Sequence, residues 1–187
     1  ALMRTAALAL LASVLLAQPA HADGNRMAMV EGAIQGYVLP GYQDFSWETR
    51  RLREAMQALC DAPSPDALDD ARRNFAITVR AWSRIELVRF GPVTEQNRLE
   101  RILYWPDRKS IGLKQVQEVL ATRDPSAANV GTLVQKSVAV QGLGALEFVL
   151  HGTGSEDLAA KGDGYRCAFG RAIASNLEAR AADIDDD

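Results

Sequence analysis

Apolar positions recur every three to four residues along most of this chain, which is the period of an amphipathic helix. Sustained alternation of apolar and polar positions, the pattern of a half-buried strand, does not occur in the sequence. We therefore expect an all-α protein, a helical bundle of four or more main helices. The predicted helices cover residues 25–39, 45–60, 65–89 and 113–121, a central helix that Asn129 caps and that runs through Leu150, and residues 165–184.

Proline and glycine set the expected helix boundaries. The Pro-Gly pair at 40–41 is expected to end the first helix, and the Gly-Pro pair at 91–92 to end the third. Ser64 followed by Pro65 has the sequence of a helix N-cap with proline at the first helical position. Residues 93–111 have no regular period and predict a structured connection packed on the bundle.

The most apolar stretch, residues 137–152, holds one carboxylate, Glu147. In a continuous helix five other residues share its side, namely Val140, Leu143, Gly144, Leu150 and His151. A carboxylate on an apolar side is costly to bury unless an arginine, a metal or a ligand pairs with it. Two interpretations follow: a core helix whose glutamate pairs with an arginine such as Arg84, or a binding site around Glu147.

The N-terminal residues 1–22 have the features of a signal peptide. Arg4 precedes an apolar run at residues 6–16, which is too short to span a bilayer comfortably, and an Ala-His-Ala cleavage site ends at Ala22. We expect cleavage after this alanine. The mature domain, residues 23–187, is then exported and has no stable membrane span.

The composition narrows the classes of partner. A hydrophobic content of 48% and a charged content of 24% are typical of a soluble globular protein. The net charge is −3 and no basic patch with interleaved aromatic residues occurs, so we expect no nucleic-acid partner. Cys60 and Cys167 lack the C-x-x-C spacing of a metal site. In an exported protein they either form one disulfide or remain two buried thiols, and the sequence leaves both open.

The central segment resembles the signature of the imelysin-like family, which is written GxHxxE. It reads S-V-A-V-Q-G-L-G-A-L-E-F-V-L over residues 137–150. Gly142 and Glu147 match the glycine and the glutamate, while Gly144 stands in place of the histidine. Two further similar segments are A-W-S-R-I-E-L-V-R-F-G-P at 81–92 and R-I-L-Y-W-P-D-R-K at 101–109. The likeness, which runs from about Val30 to the end, implies an all-helical fold of two bundle-like halves, of which this chain resembles the first.

The resemblance and the positions of the charged residues suggest where a ligand binds. The expected ligand-binding residues are Gly142, Gly144, Glu147, Trp82, Arg84, Trp105 and Asp107. Arg101 and Lys109 are candidates for the same cleft. Glu147 and His151 lie one helical turn apart and are candidate ligands of one metal ion, iron among the possibilities. The alternative for His151 is a residue at a helix end, where an imidazolium interacts favourably with the helix dipole.

The predicted function is that of an exported, periplasmic module that binds a small ligand or a metal and is linked to the uptake of iron or other metals. A metal-dependent peptidase is an alternative that rests on the resemblance. Metal hydrolysis requires about three protein ligands plus a water, and the chain has no H-E-x-x-H motif. A second alternative is a degenerate helical domain that kept the bundle and pairs with a partner protein in the cell envelope.

Overall fold

A computed structural model of the chain describes residues 21–160 and 164–185. The described residues fall into two compact units, which divide between Tyr37 and Val38. The predicted signal peptide, residues 1–22, lies outside the described residues except for its last two positions.

The described chain is helical, and no strand forms within residues 21–160 and 164–185, which confirms the all-α prediction. The first unit contains α1, His21–Ala33, and all but the last residue of the π-helical segment Ile34–Val38. The α-helices of the second unit are α2, Leu39–Asp61; α3, Pro65–Ile85; α4, Arg98–Ile102; α5, Ile111–Thr122; α6, Val130–Leu133; α7, Leu143–His151; and α8, Tyr165–Asp185. Its 3-10 helices are Gly91–Asn97, Val138–Val140 and Ser155–Ala159. None of the described helices combines the length and the apolar character needed to cross a membrane.

The core of the second unit lies among its three longest helices. Helix α2 packs along both α3 and α8, and α7 packs on α8. The apolar stripe of α2, formed by Leu52, Met56 and Leu59 at helical spacing, is fully buried. The rings of Phe45 on α2 and Trp82 on α3 are 5.1 Å apart, and both side chains are buried. The helical period of the sequence therefore places the correct residues of α2 in the core.

A disulfide joins α2 to α8. Cys60, near the end of α2, is bonded to Cys167, in the first turn of α8, across a sequence separation of 107. Both residues are buried. The helices approach closely beside this bond, because a Cβ atom on Gly170 would lie 2.6 Å from Cε of Met56. Of the two states that the sequence leaves open for these cysteines, the structure has the disulfide.

Two predicted helix boundaries are wrong. Pro40 lies in the first turn of α2 instead of ending a helix, because an N–H in that turn has no partner within the helix anyway. Gly41 continues α2, and a Cβ atom there would lie 2.7 Å from Cδ1 of Ile85, so the glycine allows α2 and α3 to pack closely. Helix α3 ends at Ile85 and not near residue 89, and Leu87, which lies beyond this end, is 81% exposed.

The start of α3 agrees with the sequence prediction. The hydroxyl of Ser64 accepts a hydrogen bond from the N–H of Ala67 at 3.1 Å, and Pro65 begins the helix. This N-cap satisfies one of the four amide groups that have no partner within the first turn. The predicted last helix is also confirmed, because α8 covers Tyr165–Asp185.

The predicted continuous central helix is wrong, because the chain forms three separate elements there. Asn129 caps only the four-residue α6, with its side chain accepting a hydrogen bond from the N–H of Gly131 at 2.9 Å. The 3-10 helix Val138–Val140 follows, and α7 begins after Gly142. At Gly142 the backbone is extended, with φ −114° and ψ −163°.

Contacts with distant helices cause this interruption. Gln141 is fully buried, and its side chain accepts a hydrogen bond from Nη1 of Arg101 at 2.7 Å. Its backbone carbonyl accepts another from Nδ2 of Asn176, on α8, at 3.2 Å. A Cβ atom on Gly142 would lie 2.6 Å from the carbonyl oxygen of Arg101. The chain therefore passes directly against the end of α4 before α7 begins.

Candidate functional site

A cleft of about 380 Å³ lies between α5, α7 and the segment that precedes α5. Most of its wall is apolar, and the larger apolar side chains are Leu103, Leu113, Val116, Val138, Ala145 and Phe148. Six of the predicted ligand-binding or metal-binding residues line it, namely Trp105, Asp107, Gly142, Gly144, Glu147 and His151. The fold thus brings together two segments that are about forty positions apart in the sequence.

Helix α7 turns one face toward the cleft. Gly144, Glu147 and His151 are exposed and line it, while Leu146 and Leu150 of the same helix are fully buried. The spacing i, i+3 and i+7 places the three exposed residues on one side of α7. A Cβ atom on Gly144 would meet no other atom within 4 Å. This position of α7 consequently leaves open space in the cleft.

Of the two interpretations of Glu147 that the sequence leaves open, the buried carboxylate paired with an arginine is wrong. Glu147 is exposed, and among residues 25–160 and 164–185 no hydrogen bond or ion pair holds its carboxylate. Arg84 does not line the cleft, and its Nη1 lies 3.6 Å from Oδ2 of Asp44 on α2. The buried stripe of α7 centres on Leu146 and Leu150, which leaves Glu147 on the cleft side.

Asp107 supports the cleft instead of offering a free carboxylate. Its Oδ1 accepts a hydrogen bond from the N–H of Ile111 at 2.7 Å, and its Oδ2 accepts one from the N–H of Leu113 at 3.2 Å. Both donors lie in the first turn of α5, whose amide groups have no partner within the helix. The carboxylate of Asp107 therefore fixes the start of the helix that forms one wall.

Trp105 lines the rim of the cleft, and its side chain is 77% exposed. It also lines a second, smaller pocket together with Trp82, Glu86 and Arg89. Trp82, a predicted ligand-binding residue, is 3% exposed and belongs to the core against Phe45. The exposed indole of Trp105 is therefore the tryptophan surface that a ligand in the cleft can reach.

Two other candidates, Arg101 and Lys109, do not line the cleft. The guanidinium of Arg101 donates hydrogen bonds to the carbonyl of Val134 at 2.8 Å and to the side chain of Gln141 at 2.7 Å. Arg101 thereby holds the chain that leads into Gly142. Its role in the described structure is to position α7.

Two arginines that the sequence analysis did not single out hold the C-terminal end of α7. Arg166, on α8, donates to the carbonyls of Phe148 at 3.1 Å, Val149 at 2.9 Å and Thr153 at 2.5 Å. Burial lowers the pKa of the Arg166 guanidinium. Arg72, on α3, donates to the carbonyl of Leu150 at 2.9 Å.

The bonds to Val149 and Leu150 satisfy carbonyls of the last turn, which have no partner within the helix. No sequence signal identifies the two arginines, because their partners are backbone groups of distant elements. The ring of His151, in the same last turn, lies 5.9 Å from that of Phe75. This contact places His151 at the end of α7, beside the cleft.

Comparison with known proteins identifies the family. The family model described as Imelysin matches residues 38–187, which is most of the chain. The chain belongs to the imelysin family. In this imelysin family member the cleft is therefore formed by the segment whose sequence resembles the family signature, with Gly142 and Gly144 preceding Glu147. A search of the curated proteins found no significant match.

An imelysin-like protein from Psychrobacter arcticum 273-4, known from a crystal structure, has a similar fold. The two structures superpose with a TM-score of 0.75 at 26% sequence identity. The match covers 85% of this chain and 48% of that protein, so this imelysin chain spans about half the length of its relative.

The donor atoms of the cleft do not fit a tightly held metal ion. Among the residues that the structure describes, no group of three or more His, Cys, Asp or Glu residues could hold one. Glu147 and His151 supply two donors, and Gly144, which replaces the signature histidine, supplies none. The carboxylate of Asp107 is already bonded to two backbone amides. Protein metal sites of high affinity use three or four protein ligands.

Proposed function

We propose that this imelysin family member is a ligand-binding module, whose cleft beside Glu147 takes a small ligand with an apolar body. The cleft itself is the observation that supports the proposal. Its volume of about 380 Å³ lies within the range of small-molecule sites. Its wall combines apolar side chains with a few polar groups, which is the usual composition of such sites.

Two features of the fold favour binding at this place. The cleft walls are rigid, because Asp107 caps α5 and the arginines Arg72 and Arg166 hold the end of α7. Such bonds reduce the conformational entropy that a ligand must remove when it binds. The exposed face of α7 offers Glu147 to a ligand without a competing partner in the described chain.

A cleft-filling substitution tests the proposal. Gly144→Leu places a side chain in open space beside Glu147, and Ala121→Leu adds the same side chain at an exposed position of α5 outside the cleft. The neutral apolar dye Nile red serves as the probe in a fluorescence titration. We expect one saturable site whose affinity falls about tenfold or more in Gly144→Leu and is unchanged in Ala121→Leu. Equal affinities in all three proteins would refute the proposal.

The cellular location of this module and its role in metal uptake are part of the same proposal. We place it in the periplasm, after removal of residues 1–22, with a role in the uptake of iron or another metal. The signal-peptide features and the family resemblance support this setting. Fractionation of cells that produce the full chain tests it, because a periplasmic protein appears in the osmotic-shock fluid with an N-terminus at Asp23. Retention of the leader in the cytoplasmic fraction would contradict it.

A metal as cargo requires donors beyond those that the described residues bring to the cleft. Glu147 and His151 would supply two, and a chelating ligand or a partner protein the others. Calorimetric titration with ferrous, ferric, zinc and copper ions tests whether the chain alone suffices. Saturable binding that Glu147→Ala removes would support direct metal binding. The same heats in both proteins would exclude Glu147 as a metal ligand.

The peptidase alternative stays a prediction, and the two-donor site gives it little support. It requires cleavage of an unfolded protein that a chelator stops and that Glu147→Ala abolishes.

The alternative of a degenerate interaction domain also stays a prediction. It requires that a cell-envelope protein bind the chain equally well when Gly144→Leu fills the cleft.

A further inference from the structure

The charge of the cleft is unbalanced. Among the residues that the structure describes, no lysine or arginine lines it, whereas two carboxylates and one imidazole do. Both carboxylate oxygens of Asp107 accept hydrogen bonds from the backbone amides of Ile111 and Leu113, which leaves fewer of its lone pairs for a ligand. Arg166 contacts the back of the wall, with its guanidinium 5.8 Å from the ring centre of Phe148, but its hydrogen bonds go to backbone carbonyls. Glu147 is the acidic group left for a ligand.

The surroundings of Glu147 are suited to an organic cation. Trp105 exposes most of its indole at the rim, and Tyr104 and Phe148 add two further aromatic rings to the wall. An ammonium group gains from the face of an aromatic ring as well as from a carboxylate. The apolar side chains Val116, Val138 and Ala145 can cover the rest of the molecule.

We infer that the cleft selects a primary ammonium group attached to an apolar body, with Glu147 as the anchor of the charge. The inference rests on the proposed binding function. The described residues offer a bare metal ion too few donors here, and a carboxylate or phosphate ligand would meet the charge of Glu147 with no lysine or arginine in this part of the wall. A primary ammonium group of this kind occurs both in free amines and in the lysine side chains of peptides.

Three probes of one shape test the charge selectivity. They are phenethylamine, 2-phenylethanol and 3-phenylpropionate, which carry a positive, a neutral and a negative group on the same body. Affinities are measured by ligand-observed NMR with the full chain. We expect phenethylamine to bind about fivefold to tenfold more tightly than the alcohol, and the acid more weakly than the alcohol.

Two isosteric variants distinguish an effect of the charge of Glu147 from an effect of the net charge of the protein. Glu147→Gln removes the charge of this carboxylate from the cleft, and Glu118→Gln removes the same charge from an exposed position of α5 outside it. The preference for the amine should disappear in Glu147→Gln and persist in Glu118→Gln. A similar loss in both variants, or no preference in the wild type, would overturn the inference.

The outcomes also distinguish this inference from the proposed function. Equal binding of all three probes, blocked by Gly144→Leu, would leave the binding function standing and the charge selectivity wrong. Absence of binding by any probe would remove both. A capped Phe-Lys dipeptide and its Phe-norleucine analogue show whether the ammonium group of a lysine side chain binds. Comparison with phenethylamine then shows the source of the ammonium group. Tighter binding of the lysine peptide than of phenethylamine indicates a peptide ligand, and the reverse order indicates a free amine.

Discussion

At the scale of single residues, two glycines of the signature segment have opposite roles. Gly142 is required by close packing, since a Cβ atom there would meet the carbonyl oxygens of Arg101 and Ile102. Gly144, two positions later, lies within α7 with open space beside it. The same residue type therefore serves the fold at one position and leaves room in the cleft at the other.

This difference predicts opposite changes in stability. Gly142→Ala should lower the free energy of unfolding by about 2–3 kcal/mol, because the backbone of α4 must move to make room. Gly144→Ala should raise it by about 0.5–1 kcal/mol, because alanine is the better helix former and meets no obstacle. Urea unfolding of the two variants measures both changes. Destabilisation by Gly144→Ala would show that the space beside α7 is not open.

Glu147→Ala tests the exposure of the carboxylate. A buried ion pair that loses one partner costs about 3–5 kcal/mol, whereas the loss of an exposed group that makes no hydrogen bond or ion pair in the described chain costs at most about 0.5 kcal/mol. Because Glu147 is exposed, we expect the smaller value and an almost unchanged thermal midpoint. Glu178→Ala provides the contrast, since Glu178 is bonded to Nε of Arg53 at 2.6 Å. A loss of about 3 kcal/mol of unfolding free energy in Glu147→Ala would instead support the interpretation of Glu147 as a buried carboxylate in an ion pair.

At the scale of elements, α7 is a nine-residue helix that its neighbours hold at both ends. Arg101 and Gln141 fix the chain before it, and Arg72 and Arg166 bond the carbonyls at its end. An isolated helix of this length is not stable in water. The position of Glu147 in the cleft therefore depends on side chains from α3, α4 and α8.

The bonds of Arg166 predict a measurable loss. Arg166→Ala leaves the carbonyls of Phe148, Val149 and Thr153 without this donor and should cost about 2 kcal/mol of unfolding free energy. Arg171→Ala on the same helix removes only an ion pair of 3.8 Å with Asp61 and should cost less than about 0.5 kcal/mol. Denaturant unfolding measures both variants. Equal losses of unfolding free energy in the two variants would show that water replaces the guanidinium as the donor to these carbonyls.

The turn between α5 and α6 contributes a pH-dependent stabilisation. Hydrogen bonds from Lys136 and Ser126 lower the pKa of Asp124 from its usual 3.8 to about 2. A carboxyl group with a lowered folded-state pKa stabilises the fold above pH 3.8 and loses this effect as the pH falls toward 2.

Asp124→Asn should therefore lower stability at pH 6 and show a weaker decline of stability between pH 4 and pH 2 than the wild type. Urea unfolding across this range measures the change. Asp69→Asn, which alters an exposed carboxylate of α3, serves as the control. Identical pH profiles for the wild type and Asp124→Asn would contradict the assignment.

At the scale of the whole second unit, the disulfide connects helices that are far apart in the sequence. Burial of both cysteines protects the bond from solvent, and the loop that it closes spans 107 positions. Closing a long loop restricts the unfolded chain more than a short one. Glu178 on α8, which contacts Arg50 and Arg53 on α2, adds ion pairs between the same two helices.

Removal of the disulfide should be the most costly change among those considered. The double variant Cys60→Ala with Cys167→Ala should lose about 4–5 kcal/mol as an upper value in the chain-entropy model. Urea unfolding of the wild type with and without a thiol reductant, beside the variant, measures the loss. An unchanged midpoint in the variant would show that packing of α2 on α8 alone sets the stability.

The local pattern of the sequence was sufficient for the helical class, the buried stripe of α2 and the cap at Ser64, because each depends on residues three or four positions apart. It also placed Gly142, Gly144, Glu147 and His151 in one segment. The exposure of Glu147 could not be read from this pattern. Helical spacing shows which residues share a side of a helix, but not which side faces the core.

Only the tertiary structure decided where the central helix breaks, which residues join α7 in the cleft and that the cysteines pair. Gly142 and Gln141 end the helical run through contacts with Arg101 and Asn176, which belong to other helices. Trp105 reaches the same cleft from a segment without a regular period. These features depend on contacts between residues dozens of positions apart, and such contacts leave no trace in the spacing of neighbouring residues.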